Sequence, residues 1–575
     1  MINYKLENIY DLKKYGGVML EKNKKYRCEI VDIGQNGVGI GKYEGFTVFV
    51  DGALLGEVVD VKITKSKKNY AEGVISKIIE PSKYRVDRVC SMKYRSCGGC
   101  QIQELDYKKQ LEIKTNSVKE DLKRIGGLEN ITVHPALGME NPFRYRNKAQ
   151  FPVQKSDGKL KIGFYKKKSH EVIDMDKCVI QHEKNDEIVG IVRQFIEDNN
   201  ISAYDEKTHK GTIRHILTKV GYTTGDVMVV LVVTDTKLPN VELLVEELKS
   251  KIDGFKTLVL NVNKEKTNVI LGRNNINVYG EGKILDNIGE LEFEISPLSF
   301  FQVNPTQTEV LYGKALEYAM LEEGDVVFDI YCGIGTISLF LAKKASQVYG
   351  VEIVEEAILD ARKNAKRNNI ENAEFYVGKA EEVVPRLYKE GKRANVVVVD
   401  PPRKGCDEKV LDTIVNMQPD RVVYVSCNPA TLARDLKYMV ERGYECEEVQ
   451  PVDMFPHSVH CESIVLLSHK SPDSHIDVKV EFGEGEEKVP LDKIAERAKQ
   501  YQPAPRVTYK MIQEYIEEKY GFKVHTAYIA EVKRNLGLPM YDAPNMVEEL
   551  KQPRRHPTAE KVEAIKDALK HFGVI

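Results

Sequence analysis

The chain has 575 residues, too many for one hydrophobic core, so roughly three to five domains are expected. Its 85 basic and 87 acidic residues leave a formal net charge of -2, which excludes a uniformly positive surface; a nucleic-acid partner would have to be held by local patches. No stretch approaches the roughly 18 consecutive apolar residues of a membrane-spanning helix, and the opening MINYKLENIYDLKK has no apolar signal core, so a cytoplasmic protein without a membrane partner is expected. Ten cysteines in so large a chain point to a reducing compartment rather than to disulfide staples. Three of them, Cys90, Cys97 and Cys100, crowd together as metal or cluster ligands would.

From Lys22 to about Tyr84, short alternating runs (YRCEIVDI, FTVFV, EVVDVKI, AEGVISKII) broken by GQNG, Asp51-Gly52 and KSKKNY predict a small β-barrel. Lys62, Lys65, Lys67, Lys68 and Tyr70 fall in one hairpin of it, as a nucleic-acid contact or as a solvated turn. The cysteine segment follows, then a helical stretch over about 104–127 that stops at Gly126-Gly127 and is expected to pack on the later α/β domain. Residues about 143 to 290 mix strands and helices, with VMVVLVV and TLVLNVN as buried strands. From Leu321 onward strands and amphipathic helices alternate (DVVFDIY, TISLFLAKKA, QVYGVEI, NVVVVD, RVVYVSC, ESIVLLS), which predicts a doubly wound, mainly parallel sheet. After His469 the polar stretch SPDSHIDVKVEFGEGEEK reads as a linker, before two further helices, YKMIQEYIEEKYGF and TAYIAEVKRNLG. The predicted division is a barrel (20–84), a central α+β domain with the cysteines (85–290), a Rossmann-like α/β domain (291–470) and a linker with a small helical extension (471–575).

FDIYCGIGTISLF places Gly333 and Gly335 between a strand and a helix, where the backbone approaches a ligand. Glu352 closes the next strand, 23 residues after Asp329, where a carboxylate accepts ribose hydroxyls. Ser338 stands where a dinucleotide fingerprint has its third glycine, which favours S-adenosylmethionine over NAD. Gly378 to Glu381 and Asp400 end later strands at the same crevice; Asp400 is the stronger candidate, although it would also serve as a turn cap.

RVVYVSCNPATLARDL puts Cys427 at a strand end and next to a helix N-terminus, whose dipole is expected to favour thiolate. Uracil C5 does not attack a sulfonium methyl unaided, whereas addition of a thiolate to C6 gives C5 carbanion character. A base must then remove the C5 proton. Glu462, before SIVLL, is the first candidate, with His457 and His460 as alternatives.

Taken in order, YRNKAQF, SFFQVN, DIYCGIG, GVEIVEEAI, DPPRKG, YVSCNPATLARD and FPHSVHCES resemble the RNA uracil-5 methyltransferase family, which modifies ribosomal and transfer RNA. The resemblance implies Cys427 as nucleophile, Glu462 as proton acceptor, and Gln302, Tyr331, Gly333, Glu352 and Asp400 as cofactor-binding residues. Phe300 and Phe301 would stack a flipped uracil, or one of them would pack in the core. The barrel looks like a TRAM or OB-like domain that holds RNA, with Arg144, Arg146, Lys148 and the lysines from Lys155 to Lys168 adding phosphate contacts. Cys90, Cys97, Cys100 and Cys178 match the ligands of a [4Fe-4S] cluster in the 23S ribosomal-RNA branch, although the gap from Cys90 to Cys97 is one residue longer than the family pattern. Four thiolates also suit zinc. Cys461 departs from the aliphatic residue that the family has before its base.

The expectation is methylation of uracil C5 in 23S ribosomal RNA by a monomer. The alternatives are transfer-RNA uracil-5 methylation, cytosine-5 methylation and a non-catalytic iron-sulfur RNA-binding protein. The last two fit the motif order less well, and Arg403 after Asp400-Pro401-Pro402 counts against an amino-group methyltransferase. The C-terminal helices, with Lys519, Lys523, Lys533, Arg534 and the PRRH segment, resemble a helix-turn-helix or an ordinary packing module.

Overall fold

The computed structural model describes residues 20–34, 36–91, 97–167, 169–469, 509–536 and 557–572. The opening MINYKLENIYDLKK, Lys168, the polar stretch after His469 and the PRRH segment lie outside the described residues. The chain divides into two compact units, Met1–Ser474 and His475–Ile575. No helix among the described residues is long and apolar enough to cross a membrane.

Strands β1 (Lys25–Ile33), β2 (Val38–Tyr43), β3 (Phe46–Asp51), β4 (Val58–Ser66) and β5 (Tyr70–Glu80) close into a barrel of order β1-β2-β3-β5-β4. Alternation puts Cys28, Ile30, Val48, Val50, Val59, Val61 and Ile63 inside. β2 escapes the apolar pattern because its inward positions are glycines: a Cβ on Gly39 would stand 2.8 Å from the Ala53 carbonyl oxygen. The β4–β5 hairpin carries Lys62, Lys65, Lys67 and Lys68 at the surface, and Lys65 pairs with Glu72 at 3.0 Å.

The predicted helix is α1 (Tyr107–Asp121), continued by a π-turn over Leu122–Gly126, and it packs on later elements of the α/β layer. After β6 (Thr132–Val133) come β7 (Lys148–Ser156), β8 (Lys159–Tyr165), β9 (Val172–Asp174), α2 (Glu183–Asp198), β10 (Ile213–Val220), β11 (Val227–Val233), α3 (Val241–Lys251), β12 (Phe255–Val262) and β13 (Asn274–Tyr279). These strands form a sheet of order β13-β12-β11-β10-β7-β8-β9, with α2 and α3 over its apolar face. A hairpin, β14 (Ile284–Ile288) and β15 (Leu291–Ile295), and α4 (Pro305–Ala319) lead into the α/β layer.

That layer runs β16 (Val326–Ile330), α5 (Thr336–Ala342), β17 (Gln347–Glu352), α6 (Glu355–Arg367), β18 (Ala373–Val377), α7 (Ala380–Lys389), β19 (Val396–Val399), α8 (Glu408–Met417), β20 (Arg421–Ser426), α9 (Pro429–Val440), β21 (Tyr444–Val452) and β22 (Glu462–His469). The sheet order is β18-β17-β16-β19-β20-β22-β21-β6. The first five strands are parallel, and β22 inserts antiparallel between β20 and β21. The reversal lets β22 begin at the edge where the parallel strands end, which is where ligands of open α/β sheets bind.

In the second unit, α10 (Tyr509–Tyr520), α11 (Thr526–Asn535) and a third helix, α12 (Ala559–His571), share a core of Ile512, Ile516, Ile529, Val532, Ile565 and Leu569. Two of the cations assigned to a nucleic-acid face are spent within this unit: Lys519 pairs with Asp567 at 2.7 Å, and Lys523 with Glu517 at 3.2 Å.

Candidate active site and cysteine cavity

The chain leaves β16 through Tyr331, Gly333 and Gly335, all at positive φ (72°, 56° and 81°). At Gly335 a side chain would strain this backbone and press on Ala361 and Phe375, each 3.2 Å away. Glu352 accepts hydrogen bonds from the Gly333 N–H at 3.3 Å and the Val354 N–H at 2.9 Å, which fixes the acid against the glycine turn. Gln302, Tyr331, Gly333, Ile334 and Asp400 line a cleft of about 30 Å³. Ser338 donates to Asp329 from the position of the missing third glycine, so its hydroxyl has a structural use.

Burial pushes Asp329 up to about 7, and burial together with Asp329 pushes Asp400 up to about 7. One Asp329 oxygen, Oδ1, has no hydrogen-bond partner. Two buried acids at one cleft, one of them with an orphaned oxygen, fit a positively charged ligand such as a sulfonium. Phe301 packs inside against Phe293 (ring centroids 6.2 Å apart), while Phe300 stays 61 % exposed beside the cleft. The residue after Glu352, Ile353, is an exposed apolar side chain that the sequence reading passed over, although an apolar residue directly after a strand-end acid is its signal.

Cys427 follows β20, and α9 starts behind it with the Asn428 side chain accepting from the Ala430 N–H at 3.1 Å. The antiparallel register pairs Ser426 with Ser463. Carried one residue further, it sets Cys427 opposite Glu462. The expected thiolate is corrected here: burial pushes the Cys427 thiol up to about 11, and Glu462 and Asp400 reinforce this against the opposing pull of Arg403. The dipole of α9 opposes this shift with about 1 kcal/mol. Burial, with Asp400 behind it, also raises Glu462 to about 8, again opposed by Arg403. Arg403 is therefore the cation common to Cys427 and Glu462, a part that sequence reasoning did not give it.

The histidine alternatives recede. His457 is buried, stacks on Phe143 with ring centroids 4.6 Å apart, and is pulled down to about 4 by burial. Burial also lowers His460, with Arg403 and Lys114 adding to the shift. Cys461 is buried, with Sγ directed at the carbonyl oxygens of Val452 and Glu462.

Cys90, Cys97, Cys100 and Cys178 line one cavity of about 340 Å³ between the cysteine segment and β7. Burial raises the Cys100 thiol, and the other three cysteines add to the shift. Among the described residues no group of three or more His, Cys, Asp or Glu side chains is placed to hold a metal ion. Arg144, Arg146 and Lys148, expected as phosphate contacts, lie half-buried beside this cavity. Arg144 donates to the Cys178 carbonyl at 2.8 Å and pairs with Asp186 at 2.6 Å. Arg146 and Lys148 line the cavity, and burial lowers the Lys148 pKa.

Residues 106–470 match the tRNA (Uracil-5-)-methyltransferase family, and residues 20–75 match the TRAM domain. An uncharacterized RNA methyltransferase of Clostridium tetani is 52 % identical over 452 residues, 79 % of this chain and 98 % of that protein. One from Caldanaerobacter subterraneus is 52 % identical over 444 residues, 77 % of this chain and 98 % of that protein. The crystal structure of the Pyrococcus abyssi tRNA (uracil-54, C5)-methyltransferase in complex with S-adenosyl-L-homocysteine is 31 % identical, with a TM-score of 0.62, and covers 76 % of this chain and 99 % of that one. Likeness of this extent, continuous through the barrel, the central sheet and the α/β layer, places the chain in the S-adenosylmethionine-dependent RNA uracil-5-methyltransferase family, with a TRAM domain at its N-terminal end.

Proposed function

We propose that the chain methylates uracil C5 in 23S ribosomal RNA in the cytoplasm, with Cys427 as covalent nucleophile and Glu462 as proton acceptor. The observation that carries this reading is the register that sets Cys427 against Glu462 at the sheet edge, next to the Asp400 cleft. S-adenosylmethionine, when bound, supplies an electrophilic methyl group. Cys427 loses its proton to water as Sγ bonds to uracil C6, and the ring electrons gather at C5, which takes the methyl group as the methyl–sulfonium bond breaks and its electron pair stays on sulfur as a neutral thioether. Glu462 then removes the C5 proton, and the C6–S bond breaks to restore the aromatic ring. Gln302, Tyr331, Gly333, Glu352 and Asp400 hold the cofactor, and Ile353 offers its apolar face to the adenine. Phe300, left outside the core, stacks on the displaced base. Exposed Lys62, Lys67 and Lys68 of the barrel hairpin contact phosphates, which position the RNA without reading its sequence.

The reading divides the chain as 20–84, 85–290, 291–470 and 471–575, with α1 packed on the methyltransferase part. Cys90, Cys97, Cys100 and Cys178 hold a [4Fe-4S] cluster of structural use, since the reaction transfers no electrons. Four thiols around one cavity support this, as do Arg88, Arg146, Lys148 and Lys177, which line the same space and offset the negative charge of a tetrathiolate-bound group. Chain purified without oxygen is expected to hold about four iron atoms with matching sulfide, and Cys100→Ser to lose them. One zinc per chain instead overturns the cluster assignment.

The ribosomal assignment rests on the cysteine set and its resemblance to that branch. Transfer RNA is the second reading, favoured by the structural likeness to an enzyme described as acting on tRNA uracil-54. Mapping 5-methyluridine in both RNA classes from cells with and without this protein decides: a site lost from 23S RNA supports the first reading, and one lost only from transfer RNA replaces it.

A further inference from the structure

The residues between β21 and β22 leave and rejoin the sheet at paired positions, Val452 and Glu462, so any shift of this loop is passed to Glu462. Inside the loop His457 has φ +68°, a left-handed conformation that a non-glycine residue keeps only where its surroundings hold it. Ile102, Tyr145, Asn304 and Gln307 bond the loop backbone from other segments, and the side-chain part of the hold at His457 and the buried ion pair come from α1. Gln110, fully buried, accepts the His457 N–H at 3.0 Å and donates to the Leu105 carbonyl at 2.8 Å. Its amide nitrogen also lies 3.3 Å from His457 Nδ1. Lys114, four residues on and therefore on the same helix face, donates to the Phe455 carbonyl at 3.0 Å and pairs with the Asp453 carboxylate. Tyr107 adds its hydroxyl to Asp453 at 2.8 Å.

The pair of Lys114 and Asp453 is buried on both sides. Desolvation offsets most of what such a pair contributes to stability, so its use is better sought in fixing one geometry. Lys114 also acts electrostatically on His460 and Cys461, the two residues before Glu462.

We propose that Gln110 and Lys114 are positioning residues for proton abstraction: from α1 they hold the strained path of residues 453–461, and so aim Glu462 at uracil C5. This rests on the reading of Glu462 as the base. It predicts a selective defect in which addition and methyl transfer proceed while elimination stalls, leaving methylated RNA attached to Cys427.

The test uses the full chain, bulk RNA from cells lacking this protein and methyl-labelled S-adenosylmethionine. Gln110→Leu removes one set of bonds. Lys114→Met combined with Asp453→Leu removes the ion pair without stranding a charge, so it reports even if Gln110→Leu does not fold. Both variants are expected to bind cofactor within about twofold of the parent, to release methylated RNA at least tenfold more slowly, and to accumulate a methyl-labelled, denaturant-stable complex with RNA. Lys114→Arg is expected to recover much of the release rate. Release and cofactor binding that fall together with no complex, or unchanged release, overturn the proposal. Glu462→Gln separates the two levels. If it accumulates the complex and the α1 variants do not, positioning by α1 is wrong; if it does not, the assignment of the base fails and the inference with it.

Discussion

Cys427→Ala is expected to form no methylated RNA, a loss of at least about 10⁴-fold, and to give no denaturant-stable complex when mixed with S-adenosylmethionine and RNA carrying 5-fluorouridine. The parent chain accumulates that complex, because fluorine at C5 does not leave as a proton does and the adduct cannot collapse. The size of the effect follows from the absence of a bypass, since uracil C5 acquires nucleophilic character only while sulfur occupies C6. The buried thiols do not substitute, Cys332 in the Asp400 cleft included, since burial raises its pKa well above the ordinary thiol value. Cys461 is enclosed against the carbonyl oxygens of Val452 and Glu462, and Cys406 is buried in the α/β core. Trapping of fluorinated RNA by Cys427→Ala would falsify the covalent mechanism.

Glu462→Gln is expected to separate the two halves of the reaction. Its adduct with ordinary RNA forms and persists, while free product falls by about 10³-fold. The pH dependence carries the same assignment. Burial and Asp400 hold the Glu462 pKa at about 8, so the fraction able to accept a proton grows as pH rises through that value. The elimination rate accordingly climbs from pH 6 to 9 in the parent. Arg403 favours the charged form, so Arg403→Met moves this limb to higher pH, and Glu462→Gln abolishes it. A limb that stays in place in Glu462→Gln belongs to another group and removes Glu462 from the role of base.

The α/β half was readable because buried parallel strands and amphipathic helices announce themselves by periodicity: DVVFDIY, QVYGVEI, NVVVVD and RVVYVSC all became strands. The barrel was readable except at β2, where inward glycines erase the alternation. In the central domain the apolar strands β11 and β12 stood out, but β10 carries Arg214, His215 and Lys219 at buried positions, and no local pattern reports a burial that the neighbouring layers impose. The site was legible as a set of positions rather than as a set of charges. The strand ends located Cys427, Glu352 and Asp400, yet the protonation state of the thiol depends on how deeply it lies and on which acids face it, and both follow from the register of β20 with β22. Arg146 and Lys148 show the same limit: no local pattern reports that they line the cavity of the four cysteines.

The placement of β22 has a consequence for how the protein is made. The strand is the last of its sheet to be synthesised, yet it fills the gap between β20 and β21, so the layer cannot close until residues beyond Glu462 have left the ribosome. Cys427 is translated earlier than Glu462, and the two meet only when this central strand zips in. A chain that stops before Glu462 therefore lacks both that acid and the middle of its sheet.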